Sequence, residues 1–164
     1  MKKLNLAVAA AAIALLTSGA AQADNSPATT KTYTTPDTSL NVVLHAQYTV
    51  KAGTAATNSV FTTTLETSTT VARPIGYFTV TGLTEGATYE LTDVTATGSD
   101  SGNVATGACF LTAAGDATTT CNTSNKYITN ASSASPAYVQ VDHKPGKATE
   151  GETFINLTMT AYTS

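Results

Sequence analysis

Leu40-Asn41-Val42-Val43-Leu44-His45-Ala46-Gln47-Tyr48-Thr49-Val50 carries an apolar residue at every second position: Leu40, Val42, Leu44, Ala46, Tyr48 and Val50. Asn41, His45, Gln47 and Thr49 fall between them, and Val43 is the one exception. A period of two sends alternate side chains to opposite faces of an extended strand, so the six apolar groups share one face. That face needs burial. Either this chain's own core or the core of another copy can supply it, and alternation alone leaves both open.

Upstream of this strand, residues 24–39 are rich in Thr, Ser and Ala, with Pro27 and Pro36. So little apolar surface predicts a flexible arm. Further back, Met1-Lys2-Lys3 is a short basic start, residues 4–16 form an apolar run, and Ala21-Gln22-Ala23 offers small residues at a peptidase spacing. This is the pattern of a secretory signal peptide cleaved after Ala23. The apolar run is too short to span a bilayer. The expected division is a signal peptide over 1–23, an N-terminal arm with candidate strand 40–50 and a linker over 24–58, and a β domain over 59–164.

Downstream, residues 51–58 are small and polar around Gly53 and read as a linker. Short alternating or apolar runs then predict strands at 60–65, 75–80, 88–96, 105–112, 118–121, 137–141 and 153–162, separated by Gly-, Ser- and Pro-containing turns. Residues 122–135 read as a polar surface loop with only Tyr127 and Ile128 to bury. Thr makes up roughly a fifth of the chain and favours pleated, half-exposed strands over helices. About eight short strands imply an all-β sandwich or barrel, and no long internal repeat suggests a solenoid.

Cys109 and Cys121 suit an oxidising compartment. A hairpin centred on Gly115 would set them opposite one another within reach of a disulfide, worth roughly 3 kcal/mol in the chain-entropy picture. A metal site is not expected, since His45 and His143 are isolated in sequence and no third cysteine is present.

Charged residues are only 12% of the chain, so there is no basic patch to hold nucleic acid. The carboxylates Glu66, Glu85, Glu90, Asp93, Asp100, Asp116 and Asp142 are scattered, and Glu150 and Glu152 read as solvated charge at a strand entrance. Asp142-His143 finds many Ser and Thr residues to pair with, which makes such a pairing uninformative. No phosphate loop appears. The chain reads as a non-enzyme without cofactors.

The stretch 150–164, Glu-Gly-Glu-Thr-Phe-Ile-Asn-Leu-Thr-Met-Thr-Ala-Tyr-Thr-Ser, resembles the last strand of pilin subunits of the bacterial chaperone–usher pathway. The matching features are Gly151, Phe154, the alternation Ile155, Leu157, Met159, Ala161, and Tyr162 close to the last residue. The resemblance implies an immunoglobulin-like sandwich that lacks its closing strand. A periplasmic chaperone first fills the gap, and the extension of the next subunit then replaces it by strand addition. It further implies that residues 40–50 are the donor strand and that the last strand contacts the chaperone and neighbouring subunits. The implied partners are copies of itself or sibling pilins, the chaperone, an outer-membrane usher and a host-surface receptor, with display on the cell surface as an adhesive fimbrium. Unlike many such pilins, this chain has its cysteines late and close together. The alternative is a self-contained secreted Ig-like binding module in which 40–50 is an ordinary first strand.

A second, local resemblance lies in Val80-Thr81-Gly82-Leu83-Thr84-Glu85-Gly86-Ala87-Thr88-Tyr89-Glu90-Leu91, which is similar to a corner of fibronectin type III modules. There a tyrosine hydroxyl satisfies backbone at the corner.

Overall fold

The computed structural model describes residues 25–28, 31, 35–50, 56–58, 64–65, 68–114, 121 and 123–163. The signal-peptide expectation and most of the stretch 115–122 lie outside them. Among the described residues the chain is all-β, and its helical segments are three short 3-10 turns.

The strands are β1 (Pro27–Ala28), β2 (Thr35–Pro36), β3 (Val42–Val50), β4 (Ala56–Asn58), β5 (Thr64–Leu65) and β6 (Arg73–Val80). They continue with β7 (Thr88–Gly98), β8 (Val104–Leu111), β9 (Tyr127–Ile128), β10 (Ala137–His143) and β11 (Gly151–Thr163). Two antiparallel sheets result. The larger runs β1-β9-β7-β11-β3-β4-β5, with β2 also paired to β11; the smaller runs β6-β10-β8.

Alternation explains which face of each strand turns inward. Ile155, Leu157, Met159 and Ala161 of β11 are fully buried, as are Val139 and Val141 of β10. They join Leu44, Tyr48, Ile75, Phe78, Tyr89, Leu91 and Phe110 in one apolar cluster fed by both sheets. Burying each large aliphatic side chain is worth about 1.5–3 kcal/mol, so this shared core holds the two layers together. At the turn between β6 and β7, the buried Tyr89 hydroxyl accepts the Thr84 backbone N–H at 3.1 Å, the corner bond that this stretch suggested.

Three local expectations change. Leu40 lies in a 3-10 turn, Thr38–Leu40, and not in the strand. Asp37 caps that turn by accepting the Ser39 N–H, which bends the chain just before β3 begins. The stretch 51–58, read as a linker, contributes β4 as the hairpin partner of β3. β8 pairs with β10; the strand expected at 118–121 lies outside the described residues except for Cys121, which is in no strand. Finally, the arm is docked at its described residues: β1 pairs with β9, and β2 pairs with the C-terminal end of β11. Backbone pairing to the sheet, supplemented by side-chain hydrogen bonds, replaces the apolar burial that the arm lacks. Asn25 anchors its start, accepting the Ser132 N–H at 2.8 Å and donating to the Ser135 carbonyl at 2.5 Å.

Candidate functional site

β3 lies in this chain's own sheet, antiparallel to β11 from Val50↔Gly151 to Val42↔Met159. Leu44, Ala46, Tyr48 and Val50 are buried, and Leu40 and Val42 pack half-buried against the same cluster. All six expected side chains therefore reach the core, although only five belong to the strand. On the inward face Leu44 stands opposite Leu157, Ala46 opposite Ile155, and Tyr48 opposite Thr153. β4 covers the far edge of β3 only at Tyr48 and Thr49.

The same edge of β11 continues past the 3-10 turn. The Asp37 N–H donates to the Ala161 carbonyl at 3.0 Å, and the Asn41 amide oxygen accepts the Ala161 N–H at 3.0 Å. β2 then pairs Pro36 with Tyr162 and Thr35 with Thr163. Residues 35–50 thus line one edge of β11 along nearly its whole length.

Tyr48 is the one inward residue of β3 with a polar end, and that end is satisfied in a closed polar nest. Its hydroxyl donates to Asp100 Oδ2 at 2.7 Å. The Asp100 N–H donates to Thr153 Oγ1 at 2.9 Å, and the Thr153 hydroxyl is hydrogen-bonded to Tyr48. Asp100 Oδ2 also meets His143 Nε2 at 3.1 Å, while Oδ1 accepts the Asn103 side-chain amide at 2.6 Å and the Thr149 N–H at 2.7 Å. Tyr48, Asp100, His143 and Thr153 are each fully buried. His143 Nδ1 lies 2.6 Å from the Lys144 carbonyl, which can only accept. Nε2 therefore donates to Asp100 when the ring carries its second proton, and the contact is then an ion pair. Burial raises the Tyr48 hydroxyl above the phenol range, and the bond to Asp100 adds to the rise.

The corner that presents Asp100 depends on two close approaches. Gly98 (φ +107) and Gly151 (φ +124) adopt backbone that favours glycine, and a Cβ on Gly98 would strike the Glu152 carbonyl. The Ser99 N–H donates to that same carbonyl at 3.0 Å, which locks the corner against the start of β11.

A second polar cluster lies on the opposite face of the large sheet, under the arm. Glu90 accepts from Lys31 at 3.3 Å and from the Tyr162 hydroxyl at 3.0 Å, with Lys126 at 3.7 Å. The Lys31 ammonium also sits 4.8 Å from the Tyr127 ring centroid. Burial works to raise the Glu90 carboxyl, but the Tyr162 and Lys31 hydrogen bonds and the two lysine charges outweigh it and hold the carboxyl below its usual range. Tyr162, matched to the pilin pattern in sequence, thus ties β11 to the arm.

The remaining last-strand residues divide by face. Ile155, Leu157, Met159 and Ala161 point into the core, whereas Phe154 is exposed at 44% on the outer face. Cys109 and Cys121 form a disulfide. Asp142 and His143, adjacent in sequence, point to different partners: Asp142 accepts from the Cys121 N–H and the Gln140 amide, and His143 meets Asp100. No group of three or more potential metal ligands occurs among the described residues.

Sequence reasoning missed Asp100, His143, Thr153 and Glu90. One signal was available, since a tyrosine on an otherwise aliphatic inward face needs a buried partner for its hydroxyl. Comparison with protein-family models, curated proteins and solved structures finds no match for this chain.

Proposed function

We propose that the chain is a structural or adhesive subunit of a bacterial surface fimbria, exported through the periplasm, assembled by donor-strand exchange and used for attachment. The observation that carries this reading is the place of β3. The order β6-β10-β8 in one sheet and β7-β11-β3 in the other follows B-E-D and C-F-G of an immunoglobulin-like sandwich. In such a sandwich strand G comes after strand F in the chain. Here the strand beside β11 precedes β6, and residues 51–72 connect the two. A closing strand supplied from the N-terminal side is what an exchangeable donor requires. A neighbour's copy of residues 35–50 would make the same ladder with β11, and alternate side chains would fill the same core positions.

A periplasmic chaperone, an outer-membrane usher, sibling subunits and a host-surface receptor are the partners this reading carries. Deleting residues 40–50 is expected to leave a subunit that co-purifies with its chaperone and does not polymerise. Normal fibres from that deletion would overturn the proposal.

The self-contained secreted binding module has one observation in its favour: β3 pairs with both β11 and β4 of its own chain. It predicts that the mature chain, expressed alone, refolds to a monomer. Chain-to-chain assembly on concentration, seen by size-exclusion chromatography with light scattering, favours the fimbrial reading.

A further inference from the structure

We infer that the seat beside β11 selects its strand through a polar subsite, formed by Asp100, Thr153 and His143, that requires a tyrosine at the position of Tyr48. This rests on the donor-strand reading and adds to it a rule for which strands fit. Five of the six inward residues, Leu40, Val42, Leu44, Ala46 and Val50, are aliphatic, and aliphatic groups of similar size discriminate weakly between one apolar strand and another. A site built to hydrogen-bond a hydroxyl is more selective, because a ligand without it leaves buried polar groups short of a partner.

The geometry fits that description. Tyr48 and Asp100 are both fully buried, and the hydroxyl reaches the carboxylate at 2.7 Å. The acceptor is held independently of β3: the Asn103 amide and the Thr149 N–H fix the carboxylate, His143 Nε2 lies 3.1 Å from it, and the Asp100 N–H binds Thr153. None of these groups belongs to the strand being seated. The subsite therefore stays in place whichever copy provides the strand, with one donor position left for the incoming side chain. Tyr48 also fixes register. Thr153 is its cross-strand partner on β11, and the Asp100 corner packs at that same point. A slip by two residues would keep apolar groups facing inward but would bring Ala46 or Val50 to Asp100, neither of which can donate. A slip by one would turn the apolar face outward.

The test uses the full mature chain and two synthetic, fluorescently labelled peptides. One covers residues 35–50 and the other is identical except for Tyr48→Phe. Each is incubated with the unmodified protein under mildly destabilising conditions that open the β3 seat, and captured peptide is measured after gel filtration. The expected result is capture of the wild-type peptide and about tenfold or more weaker capture of the phenylalanine peptide, in line with loss of a hydrogen bond to a charged group. Equal capture of both peptides would overturn tyrosine selection while leaving strand exchange standing. Capture of neither would overturn strand exchange and the selection rule together. Because only the peptide is altered, a failure of a variant protein to fold cannot mimic any of these outcomes.

Discussion

The Cys121 backbone N–H donates to Asp142 Oδ2 at 2.8 Å, on the outer side of the small sheet. The disulfide from Cys121 to Cys109 of β8 holds that donor in place. Gln140 and Asp142 of β10 are buried although they alternate with the core residues Val139 and Val141. Replacing both cysteines with alanine is expected to cost about 3 kcal/mol. Chemical denaturation of the oxidised protein and the double variant would measure it, and unchanged stability would refute a structural role for the bridge.

Asp142 gives that region a pH signature. Burial raises its carboxyl above the usual Asp range, and the Cys121 and Gln140 hydrogen bonds only partly oppose the rise. The folded state therefore holds this proton more tightly than the unfolded chain does. The resulting stabilisation is complete below the ordinary Asp value of about 3.9 and is lost as pH rises through the raised folded value. Asp142→Asn should flatten this fall in stability, as measured by urea midpoints across an acidic pH series.

Glu90 acts in the opposite direction. Its folded carboxyl is lowered, so its contribution is present above the unfolded value of about 4.3 and lost as pH falls through the folded one. Glu90→Gln should destabilise the protein by about 1–2 kcal/mol at neutral pH. The gap between variant and parent should close toward pH 3. A gap of constant size would show that the Lys31, Lys126 and Tyr162 contacts are not what Glu90 contributes.

The two faces of β11 should respond differently to truncation. Leu157→Ala empties a fully buried position and should cost about 2–5 kcal/mol. Phe154→Thr alters an exposed side chain among threonine-rich neighbours and should stay within about 0.5 kcal/mol. Thermal denaturation of the two variants checks the face assignment directly.

Backbone constraint supplies a further case. Gly98→Ala places a Cβ at a left-handed position against the Glu152 carbonyl, so either β11 or the Asp100 corner must move. A loss of about 2 kcal/mol or more is expected, whereas Gly102→Ala, with open space around it, should be well tolerated.

The parts of the fold that were legible in sequence are those written in side-chain periodicity. Leu44, Ala46, Tyr48 and Val50, and likewise Ile155, Leu157, Met159 and Ala161, announce their faces because each strand has one buried side. β1 and β2 were not legible, since Pro27, Ala28, Thr35 and Pro36 join the sheet through backbone pairing that leaves no side-chain pattern. The polar subsite was hidden for another reason. Tyr48, Asp100 and His143 are separated by 52 and 43 residues, and only the folded sheets bring them together. Glu90 looked like one scattered carboxylate because its burial depends on an arm that was read as free.

The antiparallel run of residues 35–50 along β11 also sets how the molecule bears mechanical load. Thr35 and Thr163 are direct partners at one end of this ladder, and Val50 and Gly151 are partners at the other. Tension pulling Thr35 away from Thr163 would peel the strands apart one pair at a time, as a zip opens. Tension entering at Val50 and leaving at Thr163 would instead run along the strands and strain all the β3–β11 pairs together. The same set of hydrogen bonds is thus weak toward one direction of pull and strong toward the other.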